Sequence, residues 1–171
     1  IESLQKTNPE IEVWPVYASS SGSHIFNQSL PLMQDVNVRK ALQMPVDRET
    51  ISATFLGGWG DPAPNGLISQ RQVEWNWPYE EWPEEVKQEY TYNPERAEEL
   101  LDAAGYKRGA DGYRFTLKIG HAGWSDPAYP EVVIGYFDAI GVDSELKIYG
   151  EAEGTAAYRA DTHEWALANA G

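Results

Sequence analysis

Apolar residues fall at helical spacing in two short stretches of DVNVRKALQMPVDRETISATFLGG, residues 35–58. Val38, Ala41 and Leu42 follow the i, i+3, i+4 rule, and Ile51 with Phe55 repeats i, i+4 after Asp47. Two short helices meeting at a corner are predicted. Pro45 has no N–H to donate and clashes one turn back, so the first helix should end near Met44, leaving Asp47 to cap the second. Arg39 lies one helical turn after Asp35 and Arg48 directly follows Asp47, so both arginines are expected to tie the corner through carboxylates rather than to serve a ligand.

The remaining pattern alternates between helix and strand. Residues 1–7 read as the end of a helix stopped by Asn8-Pro9. Ile11, Val13, Val16 and Tyr17 suggest a strand that Pro15 confines to an edge or a bulge, and His24 to Asn27 reads as a second short strand. Asn93 is placed to cap, and Pro94 to open, a helix striped by Ala97, Leu100, Leu101 and Ala104. Gly105 should close it, with Tyr106 folding back on the stripe. Phe115, Leu117 and Ile119 alternate with Arg114, Thr116 and Lys118 as in a half-buried strand, and His121 shares the apolar parity. Val132, Val133, Tyr136, Phe137 and Ile140 mark a helix closed by Gly141; a strand over Val142 to Tyr149 follows, with Leu146 and Ile148 expected inward. This is a βαβ pattern, so the two strands should lie parallel in one sheet. Ala152 to Ala160 reads as helix despite Gly154, and Trp165, Leu167 and Asn169, alternating with alanines, read as a last strand.

The segments between these elements carry most of the exposed aromatic chemistry. GGWGDPAPNG, residues 57–66, is too long and too punctuated for a simple hairpin; its Trp59 either packs down as a lid or stacks on a ligand. Gly58 to Ala63 is echoed by Gly123 to Ala128, which is too short to establish a repeat. Between Glu74 and Glu99 nine glutamates interleave with Trp75, Trp77, Tyr79 and Trp82. Aromatic faces beside acids suit a carbohydrate or a partner protein, whereas the plainer reading is an acidic excursion stapled to the domain by its tryptophans.

Composition narrows the function. A chain of 171 residues, 42% hydrophobic and 12% aromatic, is long enough for one domain with a real core. A net charge of -14 repels phosphate backbones and anionic lipid surfaces, which disfavours nucleic acid and membrane-surface roles. Without cysteine there is no disulfide, thiolate nucleophile or thiolate-bound zinc. His24, His121 and His163 lack zinc-ligand spacing, and no nucleophile elbow, dinucleotide-binding glycine motif or phosphate loop occurs. Adjacent acids such as Glu98 and Glu99, or Glu84 and Glu85, point about 100° apart on a helix and do not face one reacting bond. The expectation is a binding protein with no enzymatic activity and no cofactor or metal. The chain starts without Met and stops in mid-pattern, which suggests a piece of something longer.

Three blocks, in this order, resemble the extracellular solute-binding proteins of family 5, the peptide and nickel receptors of ABC importers. They are Asp35-Val36-Asn37-Val38-Arg39-Lys40-Ala41-Leu42 with Val46-Asp47-Arg48-Glu49; Gly57-Gly58 with Pro62-Ala63; and Tyr92-Asn93-Pro94-Glu95 continuing through Ala97, Leu100, Leu101 and Ala104-Gly105-Tyr106. Phe26-Asn27 and Ile140-Gly141-Val142 also look like the family, while Pro45 and Asn93 depart from its usual residues.

The resemblance implies an α/β fold: a mixed sheet with βαβ crossovers flanked by helices, one lobe of a bilobed periplasmic-binding-protein type II architecture. Residues 1–171 would form the second, C-terminal lobe, with the other lobe absent from the chain. It further implies an extracytoplasmic receptor, in the periplasm or lipid-anchored at the cell surface. Such a receptor would capture a peptide or other small solute and deliver it to an ABC transporter permease. The alternative is a carbohydrate-binding or protein-interaction module built on residues 74–99. In peptide-binding relatives a ligand-contacting aromatic falls near Glu153 and a basic contact near Asn169, and neither residue type is kept here. Ligands in α/β domains gather beyond the carboxyl ends of strands, which places His121, Glu153 and Asn169 in the candidate zone, with Trp59 as a further candidate contact.

Overall fold

The computed structural model describes residues 2–14, 23–64, 68, 72–122, 128–163 and 165–168. Expectations for Pro15 to Tyr17, for the echo at 123–127 and for Asn169 lie outside the described residues. Helix α1 spans Glu2–Thr7 and strand β1 spans Ser23–Phe26. Ile11 to Trp14 belong to no strand, a correction to the expected one; Ile11 and Trp14 are exposed, so β-favouring residue types found no sheet face to cover.

The corner forms as its spacing predicts. After α2 (Pro31–Gln34), helix α3 covers Val36–Gln43, capped by the Asp35 carboxylate accepting from the Asn37 amide. Helix α4 (Arg48–Thr50) runs into one π turn at Ile51–Phe55, with Asp47 accepting from the Thr50 amide at 2.9 Å. The arginines do structural work, but on carbonyls rather than carboxylates. Arg39 donates to the carbonyls of Met33 (2.6 Å) and Gln34 (3.1 Å), and Arg48 donates to that of Tyr90. Chain ends of helices leave carbonyls without partners, and a guanidinium with five N–H groups satisfies several at once.

Helix α5 (Glu84–Tyr90) leads to α6 (Pro94–Ala103), capped by Asn93 and closed by Gly105 at φ +92. Val38, Ala41 and Leu42 of α3 and Ala97 and Leu101 of α6 belong to one buried core, and the two helices pack together. Strand β2 (Phe115–Ala122), helix α7 (Ala128–Ala139) and strand β3 (Val142–Tyr149) form the expected βαβ unit. β2 and β3 are parallel, in register from Phe115 opposite Val142 to Ala122 opposite Tyr149. Helix α8 (Glu151–Arg159) then returns the chain to β4 (Trp165–Ala168), which lies on the other side of β2.

The sheet order is β1-β4-β2-β3, with β4 parallel to β2 and antiparallel to β1. Leu117, Ile119, Val133, Phe137, Ile140 and Val142 fill the core between sheet and helix. Ile148 corrects the alternation: it is 53% exposed, whereas Leu146 packs against the core. β3 is an edge strand, and its last residues run beyond the cover that buries Val142.

Candidate functional site

Strands β2, β3 and β4 are parallel, so their carboxyl ends share one side of the sheet. There Gly150 turns β3 into α8, and Lys147 near the end of β3 pairs with Glu153 in the first turn of α8 at 2.9 Å. The Lys147 ammonium also lies 4.3 Å from the Tyr149 ring centroid. The hydrogen bond to Glu153 holds the Lys147 pKa above its ordinary value. Along α8, residues 151, 152, 155, 156 and 159 fall on one helical face. This face, Glu151, Ala152, Thr155, Ala156 and Arg159, lines an open cavity of about 580 Å³. That face has small side chains in the middle, a carboxylate at one end and a guanidinium at the other.

The four candidate contacts are not equivalent. Glu153 is exposed on α8 and faces β3 through its ion pair. His121 is 1% exposed inside β2, in register with Ile148 of β3 and Leu167 of β4. It continues the buried face of Leu117 and Ile119, as its parity indicates. Trp59 is 55% exposed, so it does not pack down. Its loop leaves the π turn through Gly57 and Gly58, both at positive φ, with the Gly58 amide donating to the Ser52 carbonyl at 2.7 Å. Ser52 Oγ donates to the Gly60 carbonyl, which fixes the stem beneath the indole. Asn169 lies outside the described residues.

The opposite end of the sheet holds a cluster that spacing alone did not single out. Arg114, just before β2, donates to Glu98 (2.7 Å), to Asp102 and to the carbonyls of Tyr106 (2.7 Å) and Ile140 (2.9 Å). Arg108 shares Glu98 at 3.0 Å and also donates to the carbonyls of Gly112 and Ala139. The hydrogen bond from Arg108, ahead of that from Arg114, holds Glu98 below the usual carboxylate range. The sequence signal was available in the i, i+4 placement of Glu98 and Asp102 on α6. Nothing local said which cation would reach them. These groups bond one another and nearby carbonyls, which makes the cluster a clamp.

Three of the four adjacent acids are ion-paired: Glu98 with both arginines, Glu99 with Arg96 at 2.7 Å, and Glu84 with Lys87 at 3.0 Å. His163 is buried, its ring 5.2 Å from that of Tyr158. No group of three or more His, Cys, Asp or Glu suited to a metal ion occurs among the described residues. No helix among them is long and apolar enough to cross a membrane.

An α/β unit with an exposed rim at the carboxyl ends of its parallel strands fits a solute-binding protein. The chain belongs to the bacterial extracellular solute-binding proteins, family 5 (middle region), matched over residues 2–171. It is 29% identical over 133 residues to the oligopeptide-binding protein AppA of Bacillus subtilis (strain 168), covering 72% of this chain and 23% of that protein. It is 28% identical over 149 residues to heme-binding protein A of Haemophilus influenzae, covering 86% of this chain and 26% of the relative. Among solved structures, the ABC transporter-associated periplasmic binding protein DppA from Helicobacter pylori, in complex with peptide STSA, superposes with a TM-score of 0.75 at 18% identity. That match covers 98% of this chain and 30% of DppA. The chain thus spans about a quarter of the length of these curated relatives. The fold is that of a part of the bilobed type II binding proteins.

Proposed function

We propose that this chain is the C-terminal lobe of the substrate-binding component of an ABC importer. It would work outside the cytoplasm, in the periplasm or on a lipid anchor, capturing a peptide or other small solute between two lobes and handing it to a membrane permease. The observation that carries this reading is the family match over residues 2–171. The ABC-transporter association of the Helicobacter pylori DppA and the oligopeptide binding of the Bacillus subtilis AppA support it. The ligand class is wider than peptides, because a heme-binding protein is among the relatives.

In this reading the rim beyond β2, β3 and β4 faces the ligand and the other lobe. Glu153 and Trp59 are exposed and would meet ligand or partner lobe directly, as would Asn169. His121, buried one residue before the end of β2, would act from beneath by fixing the strand end. Closure follows from differential contact: solute bound between two lobes touches both only in the closed state, so binding shifts the population toward closure. A lobe alone supplies part of those contacts, and the protein uses no chemical step.

The test is to purify the full-length product of the parent gene without refolding, denature it, and identify the released small molecules by mass spectrometry. A ladder of peptides identifies a peptide receptor, and a single metal chelate or porphyrin keeps the receptor while changing its ligand. Calorimetry on the 171-residue chain with the released solute should give weak heat or none. Tight binding by this chain alone would overturn the two-lobe reading.

A further inference from the structure

The acidic aromatic segment divides into an anchor and a displayed surface. Trp82 is 9% exposed, and its ring meets Tyr79 and Tyr90 edge-on, each at 5.3 Å between centroids. Its indole N–H donates to the Trp77 carbonyl at 2.8 Å, tying the preceding chain to the anchor. The amides of Trp75 and Asn76 both donate to the Gln72 carbonyl at 2.8 Å, which folds the display into a turn. On that turn Val73, Trp75 and Trp77 are 80%, 79% and 55% exposed. Stapling accounts for Trp82 alone. Two indoles held outward on a fixed turn have little entropy left to lose on contact, the property that makes tryptophan an interface anchor.

Charge selects the partner. Residues 72–85 carry Glu74, Glu80, Glu81, Glu84 and Glu85 and no Lys, Arg or His. Among the described residues Glu84 alone of these five is ion-paired, with Lys87. An indole face attracts cations through its quadrupole, and surrounding carboxylates add attraction at longer range. A net charge of -14 disfavours an acidic partner.

We infer that Val73, Trp75 and Trp77 form a docking surface for a partner protein that presents arginine or lysine side chains. None of these residues is among those assigned to solute capture, and the inference stands whether or not the receptor reading holds.

The probe is an amidated hexa-arginine peptide titrated calorimetrically into the 171-residue chain at low salt, with hexa-glutamate as the opposite-charge control. The double variant Trp75→Ala/Trp77→Ala should bind hexa-arginine about ten-fold more weakly. The double variant Glu10→Gln/Glu145→Gln, which removes two charges outside residues 72–85, should change it by less than about two-fold. Equal weakening by both variants, or none by the tryptophan variant, overturns the inference. If the tryptophan variant fails to fold by circular dichroism, Glu74→Gln/Glu80→Gln, which removes as many charges as the Glu10 and Glu145 pair, replaces it. That local pair must weaken binding more than the Glu10 and Glu145 pair does, or the inference fails. Binding of hexa-arginine in a solute cleft would be indifferent to the tryptophans and also counts against it. An oligosaccharide such as cellohexaose that binds the chain, and is lost with Trp75 and Trp77, would reassign the surface to glycans.

Discussion

At the entry end of β2 and β3, the Arg114 side chain is 2% exposed and its guanidinium reaches two carboxylates and two carbonyls. At the exit end, Lys147 and Glu153 are each 58% exposed and satisfy mainly one another. The Arg114 amide also donates to the Gly141 carbonyl at 2.7 Å, so the chain before β2 is bonded to the chain before β3. One end of the sheet is locked and the other presents polar groups to solvent. Parallel strands with crossover helices favour that division, because their carboxyl ends open into the loops where ligands collect. A receptor surface needs such a floor: groups offered to a ligand are accurate only if the strands beneath them do not move.

Breaking the locked end should have the largest effect. Arg114→Met leaves the Tyr106 and Ile140 carbonyls without their cation and should cost about 3 kcal/mol, read as a lowered denaturant midpoint in urea. Gly141→Ala should cost about 2 kcal/mol by the same measurement. Gly141 sits at φ +78, and an added Cβ would come within 2.9 Å of the Gly112 carbonyl oxygen and 2.7 Å of the Arg108 guanidinium. Gly58 has the same φ with nothing within 4 Å, so Gly58→Ala should cost less, about 1 kcal/mol. A Gly58 variant as damaging as the Gly141 variant would break the proposed contrast.

Acid should find the locked end as well. Glu98 is held below the usual carboxylate range chiefly by its hydrogen bond from Arg108, and Asp47 chiefly by the Thr50 amide. A carboxyl with a depressed folded-state pKa contributes stability that is present above its unfolded pKa. That contribution is lost as pH falls through the lowered value. Unfolding midpoints measured from neutral pH downward should therefore drop below the normal carboxylate range, and Glu98→Gln should flatten that drop. Asp47→Ala removes a helix cap and should cost about 1 kcal/mol. The smallest effect belongs to the open end: Glu153→Gln should leave the urea midpoint unchanged within error, since both partners stand in water. A larger loss would mean that the exit end is load-sharing rather than free to meet a ligand.

Much of this was legible along the chain because the determinants are local. Asp47 and Asn93 announce caps, Gly105 and Gly141 announce stops, and the βαβ unit follows from alternation in β2 and helical spacing in α7. The candidate site was legible by position but not by contact. Glu153 was placed at the strand ends by topology, yet its partner Lys147 comes from the preceding strand and needed the β3–α8 turn to be known. Trp82 and Trp77 look alike in sequence; rings contributed by Tyr79 and Tyr90 decide that the first is buried and the second displayed.

By itself the sequence determined the two corner helices, α6, α7 and α8, the parallel pair β2 and β3, the acidic charge and the family. These rest on neighbours within a turn or on residue order. Only the tertiary structure decided that Arg39 and Arg48 serve carbonyls, that β4 inserts beside β2 with β1 outside it, that Ile148 faces solvent, and that Arg114 gathers α6 and the α7–β3 turn onto one cation. Apart from Arg39, whose carbonyls lie five and six residues back, each depends on groups far apart in the chain, whose meeting is set by packing rather than by propensity.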